Sequence, residues 1–134
     1  MPIPASNEHG YLPPGIHRAT MEEVEDRFGR ETEVRHAAME SLRWLVDASK
    51  RAGILRVVIN GSFVTDVIEP NDVDCALLSS SRLLKNSDAW AELDEGFPYI
   101  EMQVLESPEF EEFIDRTYAS DRDYIAKGMV ELIL

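Results

Sequence analysis

Gly61-Ser62-Phe63-Val64-Thr65, followed by Pro70-Asn71-Asp72-Val73-Asp74, is the stretch on which the fold turns. Just before it, Ile54-Leu55-Arg56-Val57-Val58-Ile59 is short, rich in β-branched side chains and bounded by Gly53 and Gly61, the pattern of a buried strand. That strand leads directly into a Gly-Ser turn. A second apolar run, residues 73–78, follows the Glu69-Pro70-Asn71 turn, so two strands flank the turn and acids stand at the start of the second one.

Each half of this stretch admits two uses. Gly-Ser after a strand is a commonplace turn and helix cap. If residues 63–65 begin a helical turn, however, the backbone N–H groups and the Ser62 hydroxyl can face an anion, and Gly61 lacks the Cβ that would hinder a phosphate. Asp72 and Asp74 are either the end of a turn plus a solvated outward acid, or a functional pair. Two residues apart on a strand, their carboxylates project from one face with Cα atoms about 6.5 Å apart. One divalent cation can bridge them, or two can be shared with a substrate phosphate. Magnesium favours such a set of a few carboxylates, phosphate oxygens and water.

Outside the central block, the first nineteen residues carry four of the seven prolines plus Gly10 and Gly15, which suits an extended arm over residues 1–19 ahead of a single domain at 20–134. Thr20-Met21-Glu22-Glu23 reads as a capping box for a short helix that ends at Gly29. Val34, Ala38, Leu42, Leu45 and Ser49 recur at threes and fours, one face of a long helix that Gly53 terminates. Residues 79–81 offer N-caps for a helix through Leu83, Leu84, Trp90 and Leu93, with Asn86-Ser87-Asp88 a candidate break. Residues 99–105 alternate as a third strand, with Glu101 and Gln103 on its polar side. Ser107-Pro108 opens a last helix with a stripe of Phe110, Phe113, Ile114 and Thr117, and residues 129–134 are expected as a fourth strand at the sheet edge. The order predicts an α/β (α+β) domain, a short mixed sheet packed by helices.

Composition narrows the function classes. A chain of 134 residues with 44% hydrophobic content supports one core. Asp and Glu number 26 against 13 Lys and Arg, a formal net charge of −13 that repels phosphate backbones, so direct nucleic-acid binding without a partner is disfavoured. A basic protein partner, or a small anionic ligand held through metal ions, fits this balance better. Cys75 is the sole cysteine, which excludes an intramolecular disulfide and a cysteine-based zinc site built from this chain, and its apolar run makes it a small core side chain. There is no secretory pattern at the start and no membrane-length apolar run, so a cytoplasmic protein without a membrane partner is expected. His9, His17 and His36 are scattered without ligand spacing. Arg122 and Lys127 could reach a phosphate, but they also suit a solvated loop with Asp121 and Asp123. Trp44 and Trp90 are either amphipathic packing or a contact surface.

A third carboxylate on an adjacent strand would complete a site around Asp72 and Asp74, and Glu101 is the best placed, with Glu106 as runner-up, although a glutamate on the outer face of an exposed strand is also an ordinary solvated residue. Gly61-Ser62 with Asp72-Val73-Asp74 resembles the signature of the polymerase-β-type nucleotidyltransferase superfamily. More closely, Leu12-Pro13-Pro14-Gly15-Ile16-His17, Thr20, Phe28-Gly29, the central block, Asp121-Arg122 and Lys127-Gly128 look like a family of small bacterial and phage proteins that carry a minimal nucleotidyltransferase domain. The similarity spans most of the chain.

The resemblance implies a minimal nucleotidyltransferase-like fold and a reaction. Gly61 and Ser62 would bind the triphosphate of a nucleoside triphosphate, and Asp72, Asp74 and Glu101 would be the catalytic carboxylates and the ligands of Mg2+ (or Mn2+). An acceptor hydroxyl on protein, RNA or a small molecule would attack the α-phosphate, Glu101 being the natural base for its proton. The resemblance also suggests work within a toxin–antitoxin or defence pair. The alternative is a non-catalytic subunit of the same fold, antitoxin-like, whose acidic surface engages a basic protein. Retention of both aspartates favours the enzyme. Asp66 and Glu69, two further acids close to the Gly-Ser turn, favour the alternative through repulsion of a polyanion. So does glutamate in the third position, whose side chain is one C–C bond, about 1.5 Å, longer than the commoner aspartate's.

Overall fold

The computed structural model describes residues 3–80 and 87–134. In chain order the elements are β1 (Gly15–Ala19), α1 (Met21–Phe28), α2 (Glu33–Ala52), β2 (Arg56–Asn60), a 3-10 turn (Ser62–Val64), β3 (Val73–Leu78), α3 (Asp88–Glu95), β4 (Ile100–Leu105), α4 (Glu109–Phe113), a π-helical turn (Ile114–Tyr118) and β5 (Gly128–Leu132). The strands form one mixed sheet in the order β1-β5-β2-β3-β4. The expected mixed sheet packed by helices is present.

Local chemistry accounts for the helix ends. Thr20 accepts from the Glu23 N–H at 3.1 Å while the Glu23 carboxylate accepts from the Thr20 N–H at 2.9 Å, the reciprocal capping expected of that sequence. Thr32 caps α2, and Gly53 closes it at φ 82°, a left-handed conformation that favours glycine. Ser87 caps α3 by accepting from the Trp90 N–H, so that helix starts beyond the candidate break. Leu83 and Leu84, assigned to the same helix from sequence, lie outside the described residues.

Two layers cover the sheet. On one face Val57 and Ile59 of β2 and Val73, Cys75 and Leu77 of β3 are buried in one core with Ala38, Leu42 and Leu45 of α2 and Trp90 and Leu93 of α3. On the other, Val58, Ala76 and Met129 lie under Phe110, Ile114 and Tyr118. Cys75 is wholly buried, as a core side chain should be, and burial raises its thiol pKa. Trp90 is buried, whereas Trp44 is 54% exposed. Among the described residues no helix is long and apolar enough to cross a membrane.

Three expectations need correction. The segment expected as an arm supplies β1, paired in parallel with β5 from Gly15↔Gly128 to Ala19↔Leu132, and Leu12 ahead of it is wholly buried. The prolines of this segment stop at Pro14, so every residue from Gly15 to Ala19 has an N–H for the ladder. As a result β5 is an interior strand between β1 and β2, not the sheet edge. The last helical segment buries Phe110, Ile114 and Tyr118, leaving Thr117 exposed and Phe113 half-buried. A π turn bonds i to i+5 and so shifts the buried line by a residue relative to an α-helix.

Candidate active site

Strand register assembles the site. Asn60, the last residue of β2, pairs with Asp74 of antiparallel β3, and Asp74 pairs with Glu101 of parallel β4. Directly paired residues share a face, so the three side chains project to the side covered by α4 and the π turn. Gly61 follows Asn60 and sits at φ 82°. A Cβ at this position would lie 2.5 Å from Asp74 Oδ2, well inside contact distance. Glycine is therefore required first by Asp74: the turn closes tightly over that carboxylate, which joins the two halves of the central sequence block into one site.

A buried arginine holds the turn from below. Arg35 of α2 is 2% exposed and donates to the carbonyls of Phe28 (3.1 Å), Phe63 (2.7 Å), Thr65 (2.9 Å), Ser62 (3.5 Å) and Val67. Its guanidinium also lies 5.5 Å from the Phe63 ring centroid. Removing a guanidinium from water costs several kcal/mol, whereas each hydrogen bond from a charged group returns about 1.5–3 kcal/mol, so several carbonyl acceptors outweigh the burial. Burial lowers the arginine's pKa, with Glu31 and Asp66 acting against it. Because the carbonyl of Ser62 turns inward to Arg35, the N–H of the same planar peptide group, that of Phe63, points the other way. Within the turn the Val64 N–H donates to the Gly61 carbonyl and the Thr65 N–H and hydroxyl donate to the Ser62 carbonyl.

The carboxylates are electrostatically coupled. Asp74 is half-buried and its pKa is pushed up to about 6, first by burial, then by the charge of Glu101 against the opposing pull of Lys127, then by Asp72 and by a hydrogen bond shared with Glu101. Asp72 stands one residue outside β3 and is exposed, as is Glu101. The structure thus brings Asp74 and Glu101 into contact, with Asp72 in electrostatic range. Among the described residues no three His, Cys, Asp or Glu side chains are gathered into a ready-made metal cage.

Two recesses open here, one bordered by the Gly-Ser turn and one by the carboxylate pair. One, about 820 Å³, is lined by Ser62, Tyr11, Arg116, Arg122, Tyr124 and Lys127 among others. The other, about 260 Å³, is lined by Asp74, Glu101, Gln103, Phe113 and Tyr118 among others. Thr117 borders both. The loop between the π turn and β5 forms a wall of the larger recess. It is fixed by the Tyr11 hydroxyl donating to Asp121 Oδ2 at 2.6 Å, and by Asp121 Oδ1 accepting from the N–H groups of Asp123 (2.8 Å) and Ile125 (3.0 Å).

Sequence reasoning placed Gly61, Ser62, Asp74 and Glu101 at one location and weighed Arg122 and Lys127 as phosphate contacts against a solvated loop, but it missed Arg35, Asn60 and Arg116. Arg35 had a readable signal: the buried line Ser49, Leu45, Leu42, Ala38 continues at the same three-four spacing to position 35, where a cation on a core stripe demands buried acceptors. Lys127 is half-buried rather than part of a solvated pair, and the charges of Asp74 and Asp121 act on it. Asp66 turns its carboxylate against Gly10, whose would-be Cβ lies 2.2 Å from Asp66 Oδ1. His17 sits on β1 with its ring Nε2 2.6 Å from the Pro13 carbonyl.

No curated protein and no solved structure matches the chain. The chain belongs to a family of unknown function (DUF6932), which matches residues 4–133.

Proposed function

We propose that this member of the DUF6932 family is a metal-dependent nucleotidyltransferase that moves a nucleotide from a nucleoside triphosphate to an acceptor hydroxyl. One observation carries this: strand register sets the Gly61-Ser62 turn directly over Asp74, and Asp74 directly beside Glu101. A structural turn has no need of a half-buried carboxylate beneath it with a second acid paired beside that one. Burial, together with the charge of Glu101, pushes the Asp74 pKa up to about 6, and a bound cation would relieve the repulsion. The donors are hard carboxylate oxygens, which suit magnesium or manganese.

The chain's own groups divide the work. The Gly61-Ser62 turn, held in shape by Arg35, offers a hydroxyl and backbone N–H to the β- and γ-phosphates. Asp72, Asp74 and Glu101 would hold the metal, which supplies neutralisation of the charge that develops on the phosphates. The smaller recess beside Glu101 receives the acceptor. Its hydroxyl oxygen bonds to the α-phosphorus, the bond from that phosphorus to the bridging oxygen of the β-phosphate breaks, pyrophosphate departs, and the hydroxyl proton passes to Glu101. The −13 charge favours acceptors that are themselves neutral or cationic.

The test is incubation of the protein with each α-phosphate-labelled nucleoside triphosphate, magnesium or manganese, and cell lysate, beside an Asp72→Ala, Asp74→Ala variant. Label transfer that the variant loses is the expected result. No transfer from any nucleotide, together with no metal-dependent thermal shift, overturns the enzyme and leaves the acidic binding subunit.

A further inference from the structure

The Gly-Ser turn has no cation in its own stretch of sequence: between Arg56 and Arg82 there is neither Lys nor Arg, while Asp66, Glu69, Asp72 and Asp74 all fall there. Yet the larger recess that Ser62 borders is lined by Arg116, Arg122 and Lys127, every cation of residues 101–134. We propose that this recess is the polyphosphate site of the protein, with Lys127 as the phosphate-contacting residue nearest the carboxylates and Arg116 and Arg122 along the outer wall. The inference deepens the nucleotidyltransferase assignment and rests on it for the identity of the ligand as a nucleoside triphosphate.

Three observations support the site. Its volume, about 820 Å³, lies within the range of small-molecule sites, roughly 300–1,000 Å³. Lys127 is placed by backbone on both sides: its own N–H donates to the Ala119 carbonyl at 2.9 Å, and the Gly128 N–H donates to the Leu12 carbonyl at 2.9 Å. Gly128 itself has no room for a side chain, since a Cβ would lie 2.1 Å from the Pro13 carbonyl oxygen, so the lysine's approach is set by tight packing. Finally, the acids of this wall are unequal. Asp121 is committed to the Tyr11 hydroxyl and to two backbone N–H groups, which leaves Asp123 as the exposed acid beside the three cations. Lys127 is half-buried and partly desolvated, a state that strengthens its attraction to an incoming phosphate.

Lys127 also neutralises part of the charge on Asp74, and that role alone would make it structural. Direct measurement of polyanion binding separates the two roles. Calorimetric titration with inorganic tripolyphosphate, and with ATP in magnesium, is made on the wild type and on Lys127→Ala, Lys127→Arg and Arg122→Ala, each checked for an intact melting transition. The expected result is tripolyphosphate binding by the wild type that weakens as salt rises, falls about tenfold or more in Lys127→Ala, less in Arg122→Ala, and is retained in Lys127→Arg. If Lys127→Ala does not fold, an Arg116→Ala, Arg122→Ala variant at two exposed positions decides, with the same tenfold loss expected. Wild-type binding in the folded variants, or no binding of either polyphosphate by the wild type, overturns the proposal. Binding without nucleotide transfer overturns the transferase and leaves the polyphosphate site. Transfer with unimpaired binding by Lys127→Ala overturns the site and leaves the transferase.

Discussion

Asp74 and Glu101 are direct partners across the parallel β3–β4 ladder, so their side chains share one face and the charge of Glu101 acts on Asp74. Two acids in contact on a half-buried sheet face work against the fold at neutral pH, and several measurable consequences arise from that conflict.

Asp74 has a folded pKa near 6 against an unfolded value of 3.8. The folded state therefore binds more protons than the unfolded state between these values, and stability attributable to Asp74 falls as pH rises through that window. Above pH 6 the full penalty applies; below about 4 it vanishes. Asp74→Asn should stabilise the protein at pH 7.5 by about 1–2 kcal/mol after allowance for solvent screening, and change little at pH 4. Urea unfolding of both proteins across this range checks it, and an equal effect at both pH values would contradict it.

A cation on the same carboxylates must displace the proton that Asp74 holds at low pH. Manganese should raise the melting temperature at pH 7.5, raise it much less at pH 5, and leave Asp74→Asn nearly unmoved. A shift independent of pH, or one that survives Asp74→Asn, would place the cation elsewhere.

Arg35 is buried and gathers carbonyls from the end of α1 and from the turn after Gly61. Arg35→Met keeps much of the volume but strands those acceptors, and it should destabilise the fold by about 3–5 kcal/mol in urea unfolding. A loss below about 1 kcal/mol would mean the turn holds itself without the guanidinium.

Gly61→Ala meets both an unfavourable positive φ and the Asp74 carboxylate. It should cost about 1–3 kcal/mol of stability and abolish nucleotide transfer. In an Asp74→Ala background the collision disappears and only the backbone strain persists, so the double-mutant cycle should show coupling of about 0.5 kcal/mol or more. Strict additivity would deny the contact between the turn and the carboxylate.

Much of the local structure was legible. Thr20 and Glu23 announced their capping box, Gly53 its helix end, and residues 73–78 their strand, because each depends on side chains within a few positions of one another. Tertiary pairing was not legible. Residues 15–19 look like an arm because prolines dominate the segment before them, and they become a strand because β5, over a hundred residues later, offers a ladder. The buried stripe after Pro108 slipped by one residue because a π turn leaves no mark in apolar spacing.

The candidate site divides along the same line. From the sequence alone came Gly61-Ser62, Asp72, Asp74 and Glu101 as residue types suited to phosphate and metal chemistry, since alternation along a strand sets which side chains share a face. Tertiary structure decided that Asp74 meets Glu101 in register, that Gly61 closes over Asp74, that Arg35 holds the turn from inside, and that the cations absent from the central block arrive from residues 116–127. The physical reason is range. Caps and strand periodicity are local and can be read from neighbours, whereas the pKa of a carboxylate and the charge of a cleft are sums over groups that only folding brings together.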